Sequence, residues 1–351
     1  MQSHSSIRGR GASENPPNRF EKLQYIPDPE ASENAPAART SFYKDQSSTF
    51  ISYNQSPDVP FAASGNPYRG CEHGCAYCYA RPTHEFLGFS AGLDFESKIM
   101  VKFDAPEILR KELSAKKWVP QSVTLSGVTD CYQPAEKKFQ ITRRCLEVFL
   151  EFRNPVSLIT KNQLITRDLD ILAELAQHQL ISVCISVTTL NPELARTLEP
   201  RTSSPRARLE AISQLHAAGV PVGVLVAPVI PGLNEHEIPQ ILEQAAHAGA
   251  SYAGYTLLRL PHSVKDIFIS WLDQYHSGSK EKILGRIKEI RHGKLNDATF
   301  GARFKGEGPL AEQIQQLFAV ARKHHKLLAQ RPTLTTSLFR SPHNKQLSFN
   351  L

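Results

Sequence analysis

The sequence predicts an α/β protein, a partial (β/α)6 parallel barrel with a helical C-terminal extension and a disordered N-terminal arm. Three observations carry that expectation. From about residue 56 to Pro261 short apolar runs alternate with stretches of helical period; after Pro261 the strand-like runs stop; and the first fifty residues show no sustained periodicity. The chain has 351 residues, 40% of them hydrophobic, which suits one large α/β domain with extensions.

Taken in order, residues 1–50 are rich in Ser, Asn, Pro, Ala and Arg and read as a flexible arm. Phe50-Ile51-Ser52-Tyr53 alternates apolar with polar, and Ser56-Pro57-Asp58-Val59-Pro60-Phe61 favours extended chain because proline disfavours helix at and before its own position. Strands are expected at 122–125, 156–160, 181–188, 220–227 and 252–258, with one more near the cysteines. Helices are expected between them. The stretch 135–152 repeats apolar residues at Ile141, Cys145, Phe149 and Phe152, and 169–176 does likewise. The stretch 206–218 opens on Ser204-Pro205, a cap followed by a first-turn proline, and stops at Gly219; Asn234 is the expected cap of 235–247, which stops at Gly249. Strand–helix–strand at this spacing means right-handed βαβ units and a parallel sheet, with the site at the C-terminal strand ends. Beyond Pro261 the stretches 264–275, 282–290 and 310–328 are amphipathic. The expected division is an arm at 1–50, the partial barrel at 51–261, a helical extension at 262–330 and a tail at 331–351.

No apolar run nears the roughly 18 residues of a membrane span, and Met1 to Arg10 is polar rather than of signal-peptide type. A cytoplasmic location is expected. Six cysteines are too few for a disulfide framework in a chain of this length, yet three of them fall between Cys71 and Cys78. Net charge is +7. From Lys280 to Leu351 there are 14 Lys/Arg against 5 Asp/Glu, which leaves 27 against 29 for the rest, so the positive excess lies in the last fifth of the chain. Lys280, Lys282, Arg286, Lys288 and Arg291 interleave with Ile283, Leu284, Ile287 and Ile290, and Arg322, Lys323 and Lys326 continue the bias. That pattern predicts a cationic helix face, either a phosphate-contacting patch or a solvated surface.

The triplet stands in Asn66-Pro67-Tyr68-Arg69-Gly70-Cys71-Glu72-His73-Gly74-Cys75-Ala76-Tyr77-Cys78-Tyr79, a C-x3-C-x2-C spacing. Three thiolates on one short loop can hold three irons of a cubane and leave the fourth open, since no fourth cysteine lies near in sequence. Zinc is the competing reading: His73 inside the loop or His84 beyond it would complete a Cys3His set, although no second C-x2-C pair exists.

With its inner aromatic Tyr77, the triplet resembles the signature of the radical S-adenosylmethionine superfamily. Asn66 to Gly70, Cys78-Tyr79-Ala80-Arg81, Thr129-Asp130 with Tyr132-Gln133-Pro134, Thr160-Lys161, and Leu198-Glu199-Pro200-Arg201 with Arg208-Leu209 resemble its spore photoproduct lyase-like branch. The resemblance covers about Ser56 to Pro261. It implies a [4Fe–4S] cluster on Cys71, Cys75 and Cys78, S-adenosylmethionine bound at the open iron, and a 5′-deoxyadenosyl radical that abstracts hydrogen from a substrate. It also implies a flavodoxin- or ferredoxin-like electron donor. Together with the basic C-terminal region it leans towards a nucleic-acid substrate and a repair or modification reaction. The alternative is a non-catalytic iron–sulfur or zinc protein that binds nucleic acid.

The resemblance further implies roles for single residues. Tyr77 and Tyr79 flank the last cluster cysteine as that branch's catalytic tyrosines do, and Tyr77 can pack beside the adenine. Lys161 and Ser186 match positions that take the methionine carboxylate. The strand at 181–188 alternates Ile181, Val183, Ile185 and Val187 with Ser182, Cys184, Ser186 and Thr188, and the polar set is expected to face the barrel interior. Where many superfamily members carry Gly-Gly-Glu this chain has Ser126-Gly127-Val128-Thr129-Asp130, so only backbone contacts at Gly127 carry over. The branch's hydrogen-donating cysteine falls at Gly127 here, and Cys131, four residues on, is the candidate thiol donor. Cys145 reads as a core residue, and His84 and Glu85 either line the mouth or open a helix.

Overall fold

The computed structural model describes residues 7, 9–21 and 39–341. Strands β1 (Ser41–Lys44), β2 (Ile51–Tyr53), β3 (Ala63–Gly65) and β4 (Tyr68–Arg69) precede the cysteine loop, and helix α1 (Leu93–Ser97), strand β5 (Lys98–Val101) and helix α2 (Ala105–Leu113) follow it. The barrel units come next: β6 (Val123–Leu125), α3 (Pro134–Phe139), α4 (Ile141–Phe152), β7 (Val156–Thr160), α5 (Leu169–Gln177), β8 (Ile181–Ser186), α6 (Pro192–Leu198), α7 (Pro205–Ala217), β9 (Val222–Val229), α8 (Ile238–His247) and β10 (Tyr252–Leu257). Three helices end the order, α9 (Val264–Tyr275), α10 (Lys280–Glu289) and α11 (Pro309–His324).

The main sheet is seven-stranded in the order β10-β9-β8-β7-β6-β3-β2. The run from β3 to β10 is parallel throughout, and only β2 is antiparallel to its neighbour. This is the expected six-strand parallel partial barrel, open between β10 and β2. A small sheet, β1-β5-β4, stands beside it and leads into the cysteine loop.

Side-chain alternation places the core. On β8, Ile181, Val183 and Ile185 are buried in the main apolar cluster with Leu172 and Leu175 of α5 and Ile212 and Leu215 of α7. On the other face, Ser64, Thr124, Ser157 and Ser182 are register partners across β3, β6, β7 and β8. They form a hydroxyl row, with Thr124 and Ser157 2.8 Å apart.

Several sequence expectations change. The helix expected over 135–152 is two, broken at Gln140, whose φ is +52°. Asn234 does not cap a helix: its Oδ1 accepts from Ile230 N at 2.6 Å, and its Nδ2 donates to Thr188 and Pro228 carbonyls. It ties the ends of β8 and β9 together instead. Ser204 caps α7 as expected, accepting from Ala207 N.

Parts of the expected arm and tail are docked. Glu96 Oε2 and Oε1 accept from the backbone N–H groups of Gly11 and Ala12, and Arg19 pairs with Glu85. In the tail Arg340 N donates to Phe152 O, while Leu328, expected to end the helix over 310–328, lies past the end of α11 and bridges to β10. Residues 1–6, 8, 22–38 and 342–351 of those expectations lie outside the described residues. The expected basic helix face is only partly free. Lys280 pairs with Asp273 and Arg286 with Glu235. Arg291 is fully buried and donates to the carbonyls of Ala302 and Leu258. Lys282 and Lys288 remain exposed.

Candidate cluster and cofactor site

The loop Cys71–Cys78 leaves β4 at the C-terminal end of the sheet, where loops of a (β/α) barrel gather. Its shape needs two left-handed residues, Gly70 at φ +77° and Gly74 at φ +66°. A Cβ at Gly74 would stand 2.6 Å from Glu96 Oε2, so no larger residue fits the turn as built. Cys71 N donates to Phe95 O, Ala76 N to Leu198 O, and Arg81 donates from Nε and Nη2 to Cys75 O at 3.0 and 2.9 Å. Arg81 is fully buried and ion-paired with Glu96, the carboxylate that also receives Gly11 and Ala12.

The flanking motifs act as latches on this loop. Gln133 accepts from Glu72 N at 2.9 Å and donates to Gly70 O at 3.1 Å. Asn66 Oδ1 accepts from Val128 and Thr129 N–H, and Thr129 Oγ1 donates to Tyr68 O. Asp130 accepts from Thr160 Oγ1 and Lys161 N and lies 3.4 Å from His73 Nδ1. Buried and half-buried side chains thus hold the loop against the ends of β6 and β7.

The donor set fits a three-thiol iron–sulfur cluster. All three cysteines are free thiols. His73 has one ring nitrogen on Asp130 and the other 3.1 Å from Asn162 Nδ2, so it is not available as a fourth ligand. His84 is buried between Phe89 and Phe95.

Next to the loop lies a buried ion network that spacing alone does not reveal. Glu199 receives Arg208, the Tyr77 hydroxyl, Thr188 Oγ1 at 2.7 Å and Lys161 Nζ at 3.0 Å. Burial alone would raise its carboxyl, but Arg208 and Lys161 outweigh it and hold it well below the usual carboxylate range. Burial drives the Tyr77 phenol well above its ordinary value, so Tyr77 stays protonated and donates.

This network changes the expected roles. Lys161 Nζ also donates to Thr188 Oγ1 at 3.0 Å and Ala227 O at 2.9 Å, so with Glu199 its three N–H groups are occupied within the protein rather than presented to the methionine carboxylate of a cofactor. Ser186 is buried at the end of β8, and its carbonyl accepts from Arg208. Tyr79 is half-exposed and donates to Gly127 O at 2.9 Å, which joins two of the expected residues at the mouth. Cys131 is fully enclosed in the main apolar cluster, beside Ser126, and does not open on the mouth. Cys145 is a core residue as expected, and Cys184 is half-buried on the hydroxyl-lined face. Glu85 is buried against Arg19. A surface cleft of about 840 Å³ between α6, α7 and α8 includes none of these residues.

A parallel partial barrel with a free C-x3-C-x2-C loop at its C-terminal end defines a class of cluster-bearing α/β enzymes. The radical SAM superfamily model matches residues 66–245, and the chain belongs to that superfamily. Membership brings radical S-adenosylmethionine catalysis, with a [4Fe–4S] cluster and S-adenosylmethionine as its cofactors. An uncharacterized protein of Mycobacterium bovis is 38% identical over 234 residues, 66% of this chain and 68% of that one. A radical SAM Nalpha-GlyT isomerase of Pseudomonas phage M6 is 26% identical over 214 residues, 60% of this chain and 42% of its own length. Spore photoproduct lyase complexed with dinucleoside spore photoproduct superposes with a TM-score of 0.61 at 16% identity, covering 89% of this chain and 88% of that one, and so shares the fold. No helix among the described residues is long and apolar enough to cross a membrane.

Proposed function

We propose that Cys71, Cys75 and Cys78 hold the cluster and that the chain abstracts hydrogen from a nucleic-acid substrate in a lyase-like or modifying reaction. The observation that carries the metal assignment is the loop itself: three free thiols, braced from behind by Arg81 and Gln133, with the neighbouring His73 already committed to Asp130 and Asn162. When bound, the cluster supplies the electron that cleaves S-adenosylmethionine to the 5′-deoxyadenosyl radical. The chain's own part is to hold and orient. Tyr77 directly precedes the last ligand in sequence, its hydroxyl is fixed by Glu199, and its ring can border the adenine. Lys161 sits 5.8 Å from the centre of that ring and, with Arg208, balances the buried charge of Glu199. Gly127 offers backbone and Tyr79 a half-exposed ring on the substrate side. The shared fold with a protein bound to a dinucleoside photoproduct supports a nucleic-acid substrate. A flavodoxin- or ferredoxin-like protein is the proposed reductant. The boundaries proposed for the units remain 51–261 for the barrel and 262–330 for the helical extension.

Anaerobic reconstitution tests this reading. Wild type is expected to bind about four irons, absorb in the visible through thiolate-to-iron charge transfer, and release 5′-deoxyadenosine slowly with dithionite and no substrate. Cys71→Ala, Cys75→Ala and Cys78→Ala are each expected to lose all three properties, whereas Cys145→Ala keeps them. Stoichiometric zinc without iron after that treatment would refute the assignment.

A further inference from the structure

We propose that Arg259 is the anchor for a phosphate of the substrate at the barrel mouth. The proposal rests on the reading above that the substrate is a nucleic acid.

Arg259 lies two residues beyond β10, at the end of the sheet where the cysteine loop lies. Its guanidinium stands 5.8 Å from the ring centre of Tyr79, the neighbour of Cys78, and 4.7 Å from that of Phe304. It makes no hydrogen bond or ion pair among the described residues, and its Nε is buried without a partner. The other arginines of the region are committed. Arg303 pairs with Asp58 at 2.7 Å and reaches Ser56, and Arg291 holds the carbonyls of Leu258 and Ala302. Asp58, the carboxylate among the described residues whose charge reaches Arg259, is therefore engaged by Arg303. Arg291 grips the residue preceding Arg259 and thereby fixes where that side chain begins.

A half-buried guanidinium without an anion is costly to hold unless something supplies the charge. Its planar fork matches a phosphate, and its surroundings suit a nucleotide better than a carboxylate-bearing peptide. Of the two rings beside Arg259, Tyr79 is 48% exposed and Phe304 is half-buried. Two accessible rings beside one unpaired cation make a surface on which bases stack while a phosphate is clamped. No sequence pattern marks Arg259, which sits in the apolar run Leu257-Leu258-Arg259-Leu260 and outside the basic C-terminal region.

The test uses the anaerobically reconstituted full chain and a short fluorescein-labelled oligothymidylate, followed by anisotropy across a salt series. Wild type is expected to bind at low salt. Arg259→Gln is expected to weaken binding about tenfold and to lower the slope of log affinity against log salt by about 0.7, the loss of one phosphate contact on a single strand. Lys288→Gln, an exposed cation on α10, should match wild type in both. Arg259→Lys should keep the wild-type slope while losing part of the affinity, and it decides the matter if Arg259→Gln fails to take up iron. An unchanged affinity in Arg259→Gln, or a weakened one with an unchanged slope, overturns the proposal. So does a wild type that ignores the oligonucleotide but binds oligoglutamate. Deoxyadenosine release without oligonucleotide is measured separately, so the radical assignment stands or falls on its own.

Discussion

Arg81, Arg208 and Arg291 are the largest fully buried side chains, and each braces a different wall of the mouth. A buried guanidinium is tolerated only with its partners in place, so the carboxylates opposite carry disproportionate weight. Glu199→Gln keeps the shape but leaves Arg208 and Lys161 without their anion. It is expected to lower unfolding free energy by about 3–5 kcal/mol in urea titrations; a change below about 1 kcal/mol would show that the network relaxes freely. His84 offers a second test. Burial lowers its imidazole to about 4, against a smaller opposing pull from Asp94. Between about pH 6.5 and that value the unfolded chain takes up a proton that the folded one refuses. Stability from this residue is therefore complete above about pH 6.5 and declines as pH falls, by up to about 3 kcal/mol. His84→Phe should flatten the thermal midpoint's decline between pH 7 and pH 5, and an equally steep decline would place the pH dependence elsewhere. At this scale the cysteine triplet was legible because its spacing is local. The roles of Glu199 and Lys161 were not, because their meeting depends on strands that are far apart in sequence. Arg291 was misread for a simpler reason. It lies past the end of α10, where the helical period no longer says which way a side chain points.

Secondary elements were legible where turn chemistry marked their ends. Strand β7 and helix α9 coincide with the expected spans, and α7 begins and ends at the cap and glycine that announced it. The break at Gln140 carried no such mark. Its cause is tertiary: the Glu136 carboxylate accepts from Thr142 and Arg143 N–H and so caps α4 from within α3, while also receiving Tyr68 and Arg167. The arm was likewise unreadable, since a polar Gly/Ser/Arg stretch has the composition of unstructured chain whether or not a carboxylate waits for its backbone. Glu96 is that carboxylate, and Gly11 lies so close to the cysteine loop that a Cβ would fall 1.6 Å from Gly74 O. Gly11→Val is expected to expel residues 9–21 without unfolding the barrel. Limited proteolysis should then cut early near Arg10 and Arg19, and the reconstituted protein should lose its visible absorbance faster in air. A variant that resists protease like wild type would mean the arm redocks by another path.

The whole molecule solves one problem that neither residues nor elements state, the gap left between β10 and β2 in an incomplete barrel. Near the mouth the gap is spanned by residues 301–304: Gly301 N and Arg303 reach Asp58, and Leu257 N donates to Phe304 O. Away from the mouth the chain after α11 does the same work. Leu328 exchanges hydrogen bonds with Ser251 and Ala253 along the free edge of β10. Arg331 then crosses inside to Ser157 at 2.9 Å and to Pro60 O at 2.9 Å, capping the hydroxyl row with the only long cation that reaches it among the described residues. Phe339 closes on Phe152. A sequence reading places this segment in a tail because its apolar residues are scattered, and scattered contacts are what bridging a gap requires. Truncation after Lys326 removes the bridge and exposes a strand edge able to pair with other chains. Each lost hydrogen bond is worth about 0.5–1.5 kcal/mol, more where a buried hydroxyl is left without a partner. The truncated chain is expected to melt several degrees lower and to form larger species in light scattering, whereas Arg331→Gln alone should shift the midpoint less and remain monodisperse to the same degree as wild type. A truncated protein with the wild-type midpoint and particle size would show that the barrel holds its own edge, and that the tail merely rests on it.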